Sequence, residues 1–223
     1  KSKDVRLKPA DDDCPLPGRW AIPDDMTAGK VILYSHGGAY VSGSPETHEP
    51  IICRLAEKCG VAVFAYDYRL APENPYPAAL EDALLAFDYL LHMGYAESDI
   101  VLCGDSAGGG LTLALTLALR DKKRGLPAAL AVISPWTDLT ESGDSHFRNG
   151  EIDPLISSEE LRDTALLYAG NNDLHTPYIS PLYGDFTGFP PVLIHVGSNE
   201  VLLDDSRELA TRMDAQGVEV DID

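Results

Sequence analysis

Gly104-Asp105-Ser106-Ala107-Gly108 places one hydroxyl between two glycines. An apolar run, Ile100-Val101-Leu102-Cys103, precedes it, and a helix-forming segment, Leu111-Thr112-Leu113-Ala114-Leu115, follows. At a sharp strand-to-helix turn a serine is held in a strained backbone conformation. The residues two before and two after it come so close that a Cβ on either would clash. The helix then aims its free N–H groups and the positive end of its dipole at the turn, where an oxyanion would form. A second small-residue cluster, His36-Gly37-Gly38-Ala39-Tyr40, ends another apolar run. Outward-facing amides in such a loop suit a tetrahedral oxyanion, each donor being worth about 3 kcal/mol of barrier. The chemistry this pairing fits is acyl transfer: Ser106 attacks a carbonyl, and the N–H groups of Gly37, Gly38 and Ala107 hold the negative charge. His36 is expected to brace its loop by hydrogen bonds rather than to act as a base.

Two plainer readings compete. A phosphate-binding loop would need G-x-x-x-x-G-K-[ST] or a third glycine in register after Gly108-Gly109-Gly110, and neither is present. The other is a tight turn with an idle serine beside an ordinary glycine turn.

Strands are expected over 30–36, 60–66, 99–105, 129–135 and 190–197, with a last one in 217–223, and helices near 47–59, 77–92, 107–121, 158–168 and 204–216. Short apolar runs bounded by Gly or Pro and separated by helices predict an α/β fold, a mostly parallel, doubly wound sheet with helices on both faces. Sites in such sheets form beyond the carboxyl ends of the strands, where His36, Ser106, Trp136 and Glu200 fall. Residues 136–189 make too long a connection for an idle loop and read as an insertion covering the site.

The 223 residues suffice for one domain with a substantial core. Seventeen Lys plus Arg against 36 Asp plus Glu give a net charge of −19, which argues against nucleic acid or an anionic membrane as partner. The acidity itself reads as a solvated surface. Cys14, Cys53, Cys59 and Cys103 have no metal-binding spacing and read as buried or half-buried thiols, which suits a cytoplasmic setting. No apolar run is long enough for a membrane span. The chain opens Lys-Ser-Lys and closes in a strand-like Val-Glu-Val-Asp-Ile-Asp, so both ends read as cut.

HGGAYVSGSP (36–45), DYRLAPENPYPAALED (67–82), GDSAGG (104–109), ISPWTDL (133–139) and PPVLIHVGSNEVLLDDS (190–206) follow one another in order. Together they resemble the hormone-sensitive-lipase branch of the α/β-hydrolases, the bacterial family IV carboxylesterases. The resemblance implies an eight-stranded sheet, a helical cap, and a Ser/acid/His triad cleaving short-chain carboxylic esters with no metal or organic cofactor. One departure is Ala39, where the family's third glycine is usual; its N–H can still donate.

In the family the triad acid is the first acidic residue after the strand over 190–197, here Glu200; Asp204 is the alternative and is expected rather to anchor the following helix. The triad base should come next, but His36, His48, His92, His146, His175 and His195 all lie upstream. His195 is expected to be a core or near-core residue. The resemblance therefore places the base beyond Asp223, in a segment not in this chain, and the N-terminal cap helices are likewise expected to be missing. A chain that truly lacked this histidine would be a non-catalytic ligand binder on the same fold; an amidase or deacetylase is a further alternative. A homodimer stays open. Asp153 and Pro154 are expected to anchor a loop, and Arg69 and Glu73 to form a structural pair. Tyr40, Trp136, Phe147 and the segment 178–183 suit either a pocket wall or ordinary packing.

Overall fold

The computed structural model describes residues 5–223; the opening Lys-Ser-Lys lies outside them. Among the described residues eight strands form one sheet: β1 (Val5–Pro9), β2 (Gly18–Pro23), β3 (Val31–Ser35), β4 (Ala62–Tyr66), β5 (Ile100–Asp105), β6 (Ala129–Ile133), β7 (Val192–His195) and β8 (Val220–Ile222). Their order is β1-β2-β4-β3-β5-β6-β7-β8. From β4 onward all neighbours are parallel, whereas β1 and β2 pair antiparallel to each other and to β4. The helices are α1 (Glu49–Cys59), α2 (Ala78–His92), α3 (Ala107–Asp121), α4 (Ser145–Arg148), α5 (Ser158–Ala169) and α6 (Leu203–Ala215). The expected α/β architecture is present, and the five longer helices lie where the periodicity predicts them.

The antiparallel pair β1–β2 was not expected. Its residues are short runs, Val-Arg-Leu-Lys-Pro and Gly-Arg-Trp-Ala-Ile-Pro, interrupted by Lys, Arg and Pro, and of these only Trp20, Ala21 and Pro23 are buried. What holds β2 is tertiary: Trp20 is 2% exposed and stacks on Phe64, ring centroids 4.8 Å apart.

Residues 107–119 of α3 are all buried, so this helix is apolar on every side and runs through the centre of the larger core. On α2 the buried Leu80, Ala83, Phe87 and Leu90 recur at helical spacing and face that core. The opposite face of the sheet is covered by α1, whose Ile52 and Ala56 pack on Ile32, Tyr34, Val63 and Cys103. Gly60, at φ 63°, ends α1 with its N–H on the Ala56 carbonyl, a conformation a side chain would strain. Among the described residues, no helix is long and apolar enough to cross a membrane. Of the thiols, Cys103 is buried and Cys14 and Cys53 half-buried, but Cys59, at the last turn of α1, is exposed.

Arg69 does not pair with Glu73, which stays exposed. Its guanidinium instead grips both oxygens of Asp82 at 2.8–3.0 Å and reaches Glu81 at 3.0 Å, while the Arg69 amide donates to Asp82 at 2.8 Å. The reason is burial: Asp82 is 1% exposed on the core face of α2 and needs a cation, which the solvated Glu73 does not. Removing the cation leaves a buried carboxylate uncompensated. Arg69→Met is therefore expected to lower the unfolding free energy by about 2–3 kcal/mol, below the full penalty of a buried pair because Arg69 is itself 45% exposed. Glu73→Ala should leave it unchanged, and urea denaturation of both variants measures the difference.

Candidate active site

Ser106 lies between the tip of β5 and the first residue of α3, at φ 50° and ψ −122°, a strained conformation for a residue with a side chain. Three main-chain bonds impose it. The Ser106 N–H donates to the Ile133 carbonyl at 2.9 Å, and the Ser106 carbonyl accepts from Trp136 N–H at 2.9 Å and Gly110 N–H at 3.1 Å. A Cβ on Gly104 would strike the Gly108 carbonyl group, and one on Gly108 would strike the carbonyl oxygens of Ser35 and His36. The glycines two before and two after the serine thus let the elbow close on itself and let α3 press against the end of β3. Ser106 remains partly exposed.

The His36–Tyr40 loop stands beside it. Gly38, Ala39 and Tyr40 all have positive φ, and the Gly38 carbonyl accepts from Val41 N–H at 3.0 Å and Ser42 N–H at 2.9 Å. The Tyr68 hydroxyl donates to the His36 carbonyl at 2.7 Å, and the Tyr68 ring stacks on the imidazole at 4.1 Å. His36 Nδ1 bonds the Gly37 carbonyl at 2.8 Å, so His36 braces the loop as expected. Burial lowers its pKa to about 4, leaving the ring neutral.

One of the three expected oxyanion donors is already engaged. The Gly37 N–H donates to Asp105 Oδ1 at 2.9 Å. Asp105 reaches it because the side chain before Ser106 points toward the α1 face of the sheet, where Tyr34 donates to the same oxygen at 2.6 Å. Its other oxygen lies 3.4 Å from His48 Nε2. Burial opposes ionisation of Asp105, but the bonds from His48, Tyr34 and Gly37 outweigh it and hold the carboxyl below its ordinary range. The N–H groups of Gly38, Ala39 and Ala107 take no acceptor among the described residues.

Beyond β7, Glu200 is half-buried. Its Oε1 accepts from Gly197 N–H at 2.6 Å, and its carbonyl accepts from Asn149 Nδ2 at 2.7 Å. It borders an open recess of about 360 Å³ shared with Ile133, Ser134, His195 and Asp223. The carboxylate of Asp204 is used structurally: it accepts from Ser145 N–H at 2.8 Å and lies near Arg148 and Arg207. Asp153 anchors its loop, taking Val201 N–H at 2.9 Å on one oxygen and Leu155 and Ile156 N–H on the other.

His195 departs from the core position expected of it. Its side chain is 49% exposed, with Nδ1 3.6 Å from Asp223, because it is the last residue of β7 and points past the edge of the packed layer. His146 is buried and bonds Asp205 at 2.9 Å, and His175 is exposed beside Asp173. Tyr40 and Trp136 are wholly buried packing residues, whereas Phe147 is 93% exposed. Among the described residues, no group of three or more His, Cys, Asp or Glu could hold a metal ion.

The neutral His36 yields a pH signature. A histidine whose pKa falls on folding takes up its proton less readily in the native state, so stability is lost as pH falls from about 6.5 toward 4, by up to about 1.4 kcal/mol per unit for one residue. Urea unfolding at pH 7 and pH 4.5 should show a loss larger in the wild type than in His36→Asn by about 2–3 kcal/mol. Equal losses would mean that the ring does not oppose protonation.

The family described as alpha/beta hydrolase fold matches residues 32–223. An acetyl-hydrolase of Streptomyces hygroscopicus is 46% identical over 181 residues, which is 81% of this chain and 60% of that protein. An esterase of Acinetobacter venetianus is 38% identical over 201 residues, 89% of this chain and 66% of that one. The chain therefore spans 60–66% of the length of these curated relatives. The crystal structure of an esterase from the bacterial hormone-sensitive lipase family superimposes with a TM-score of 0.94 at 42% identity, covering 100% of this chain and 74% of that one. A hormone-sensitive lipase from a metagenome library gives 0.96 at 41%, with coverage of 100% and 74%. The strained serine elbow, the glycine loop beside it and these likenesses agree: the chain belongs to the α/β-hydrolase fold family, in its hormone-sensitive-lipase branch.

Proposed function

We propose that the complete protein hydrolyses short-chain carboxylic esters through an acyl-enzyme on Ser106. The observation that carries this reading is the pairing of the strained elbow with amides that have no acceptor, on two backbone segments pressed together at Gly108. The oxyanion donors are Gly38, Ala39 and Ala107. Ala39 replaces Gly37 in this role because the Gly37 N–H is spent on Asp105. Glu200 is the triad acid, since its carboxylate holds only one neighbouring amide of its own turn, whereas Asp204 is tied to α4. The base is a histidine that we place beyond Asp223.

In this scheme the histidine takes the Ser106 proton as Oγ bonds to the ester carbonyl carbon, and the amides hold the resulting oxyanion. The carbon–oxygen bond to the alcohol then breaks, and the alcohol leaves with the proton from the imidazolium. Water adds to the acyl-enzyme by the same route, releasing the carboxylic acid and restoring Ser106. The segment 136–189 is a partial cover: Tyr168 stacks on Tyr40 of the oxyanion loop at 3.7 Å, and Asn149 holds Glu200. The name of the Streptomyces relative, an acetyl-hydrolase, supports a short acyl group.

The full-length protein should turn over p-nitrophenyl acetate and butyrate faster than the octanoate, and a fluorophosphonate should label Ser106 alone. Ser106→Ala should lose about a millionfold in kcat. Undiminished turnover by that variant would overturn the mechanism, and preferential cleavage of amide substrates would move the activity to the amidase class. Glu200→Gln should fall by about 10⁴-fold in kcat and Asp204→Asn by no more than a few-fold. The reverse result would transfer the acid role to Asp204.

A further inference from the structure

We propose that Asp105 is a positioning residue that sets the oxyanion loop against the nucleophile, with its carboxylate acting as one further rung between β3 and β5. The proposal rests on the reading of Ser106 as nucleophile. The last paired residues of these two strands are Ser35 and Gly104. Beyond them the chains part: β3 runs into the loop that carries the Gly38 and Ala39 amides, and β5 into the elbow that carries Ser106. Among the described residues no main-chain hydrogen bond joins the two past that point; the Asp105 side chain does, its Oδ1 taking the Gly37 N–H at 2.9 Å. Asp105 is covalently bound to Ser106, and Gly37 to Gly38. The carboxylate therefore ties the two halves of the site together through one hydrogen bond flanked on each side by a peptide link, beside the backbone contact at Gly108.

The carboxylate is itself held on three sides. Tyr34 Oη donates to Oδ1 at 2.6 Å from the penultimate position of β3, and His48 Nε2 approaches Oδ2 at 3.4 Å from the start of α1. Gly37 has no side chain to intervene, since a Cβ there would overlap the Asp105 carboxylate. On its other flank Asp105 is in register with Ile133, whose carbonyl receives the Ser106 N–H. One side chain thus refers the loop, the elbow and the tip of β6 to a common point. A misplacement of about 1 Å in such a constellation costs on the order of 100-fold in rate. Because the amides act on charge that exists only in the transition state, the loss should fall on kcat and not on KM.

The test compares Asp105→Ala and Asp105→Val, which offer the Gly37 amide no acceptor, with Asp105→Asn, which keeps one, in the full-length protein. Each variant is first shown by circular dichroism to be folded at the assay temperature. Whichever acceptor-less variant folds should lose about 100-fold in kcat toward p-nitrophenyl butyrate while KM stays within a few-fold. A trifluoromethyl ketone, whose hemiketal oxyanion needs the same amides, should bind more weakly by a similar factor. Asp105→Asn should recover most of both losses. A folded acceptor-less variant with wild-type kcat would overturn the proposal, as would Asp105→Asn being as slow as Asp105→Ala. Ser106→Ala separates this from failure of the underlying reading: an active Ser106→Ala overturns both, whereas an inactive one beside a full-speed Asp105→Ala overturns the role of Asp105 alone.

Discussion

The first turn of α3 rests on the end of β3 with backbone against backbone, and the candidate site depends on that contact. Gly108 has no room for a methyl group between itself and the carbonyls of Ser35 and His36, and Gly104 has none between itself and Gly108. Main chain cannot yield as the end of a long side chain can, so the contact works as a rigid stop. The helix cannot retreat from it either, because residues 107–119 are buried along its length. Strain at Ser106 is sustained in the same way: three hydrogen bonds and a close-packed helix over-determine a conformation that the residue would not choose alone.

Around this stop the protein uses carboxylates as clamps on loop backbone. Asp82 takes the amide of Arg69, Asp105 that of Gly37, Asp138 those of Thr140 and Ser142, Asp153 that of Val201, and Asp205 those of Thr137 and Asp138. Loop N–H groups have no ladder to satisfy them, and an ionised acceptor gives the stronger hydrogen bond. Part of the −19 charge is therefore structural rather than a solvated face. The clamps gather at the carboxyl ends of the strands, where the connections are longest and the candidate site lies.

This pattern also explains what could be read in the chain beforehand. The parallel strands, the five longer helices and the serine elbow were legible, because apolar periodicity and a glycine requirement are local properties written into consecutive residues. The antiparallel β1 and β2 were not: charged and proline residues mask them, and the stacking of Trp20 on Phe64 joins positions far apart in sequence. Proximity in sequence points Arg69 to its neighbour Glu73, whereas the buried carboxylate that needs it lies one helix turn into α2. Gly37 looked like a free donor because nothing local says that the residue before Ser106 folds back to claim it. Glycine pattern tells where backbone must come close; it does not tell which amide is left over once the polar side chains have chosen their partners.

The crowding at the elbow bears on how such a chain can change over time. At Gly104, Gly108 and Gly110 even one added methyl would collide with main-chain atoms, and at Gly109 with Pro135. Random substitution there is refused whatever reaction is being selected. The segment 136–189 meets no such veto over most of its length, and Phe147 and Leu155 stand almost wholly in solvent. Substitutions can therefore accumulate cheaply in that segment, while the backbone geometry of the elbow stays fixed.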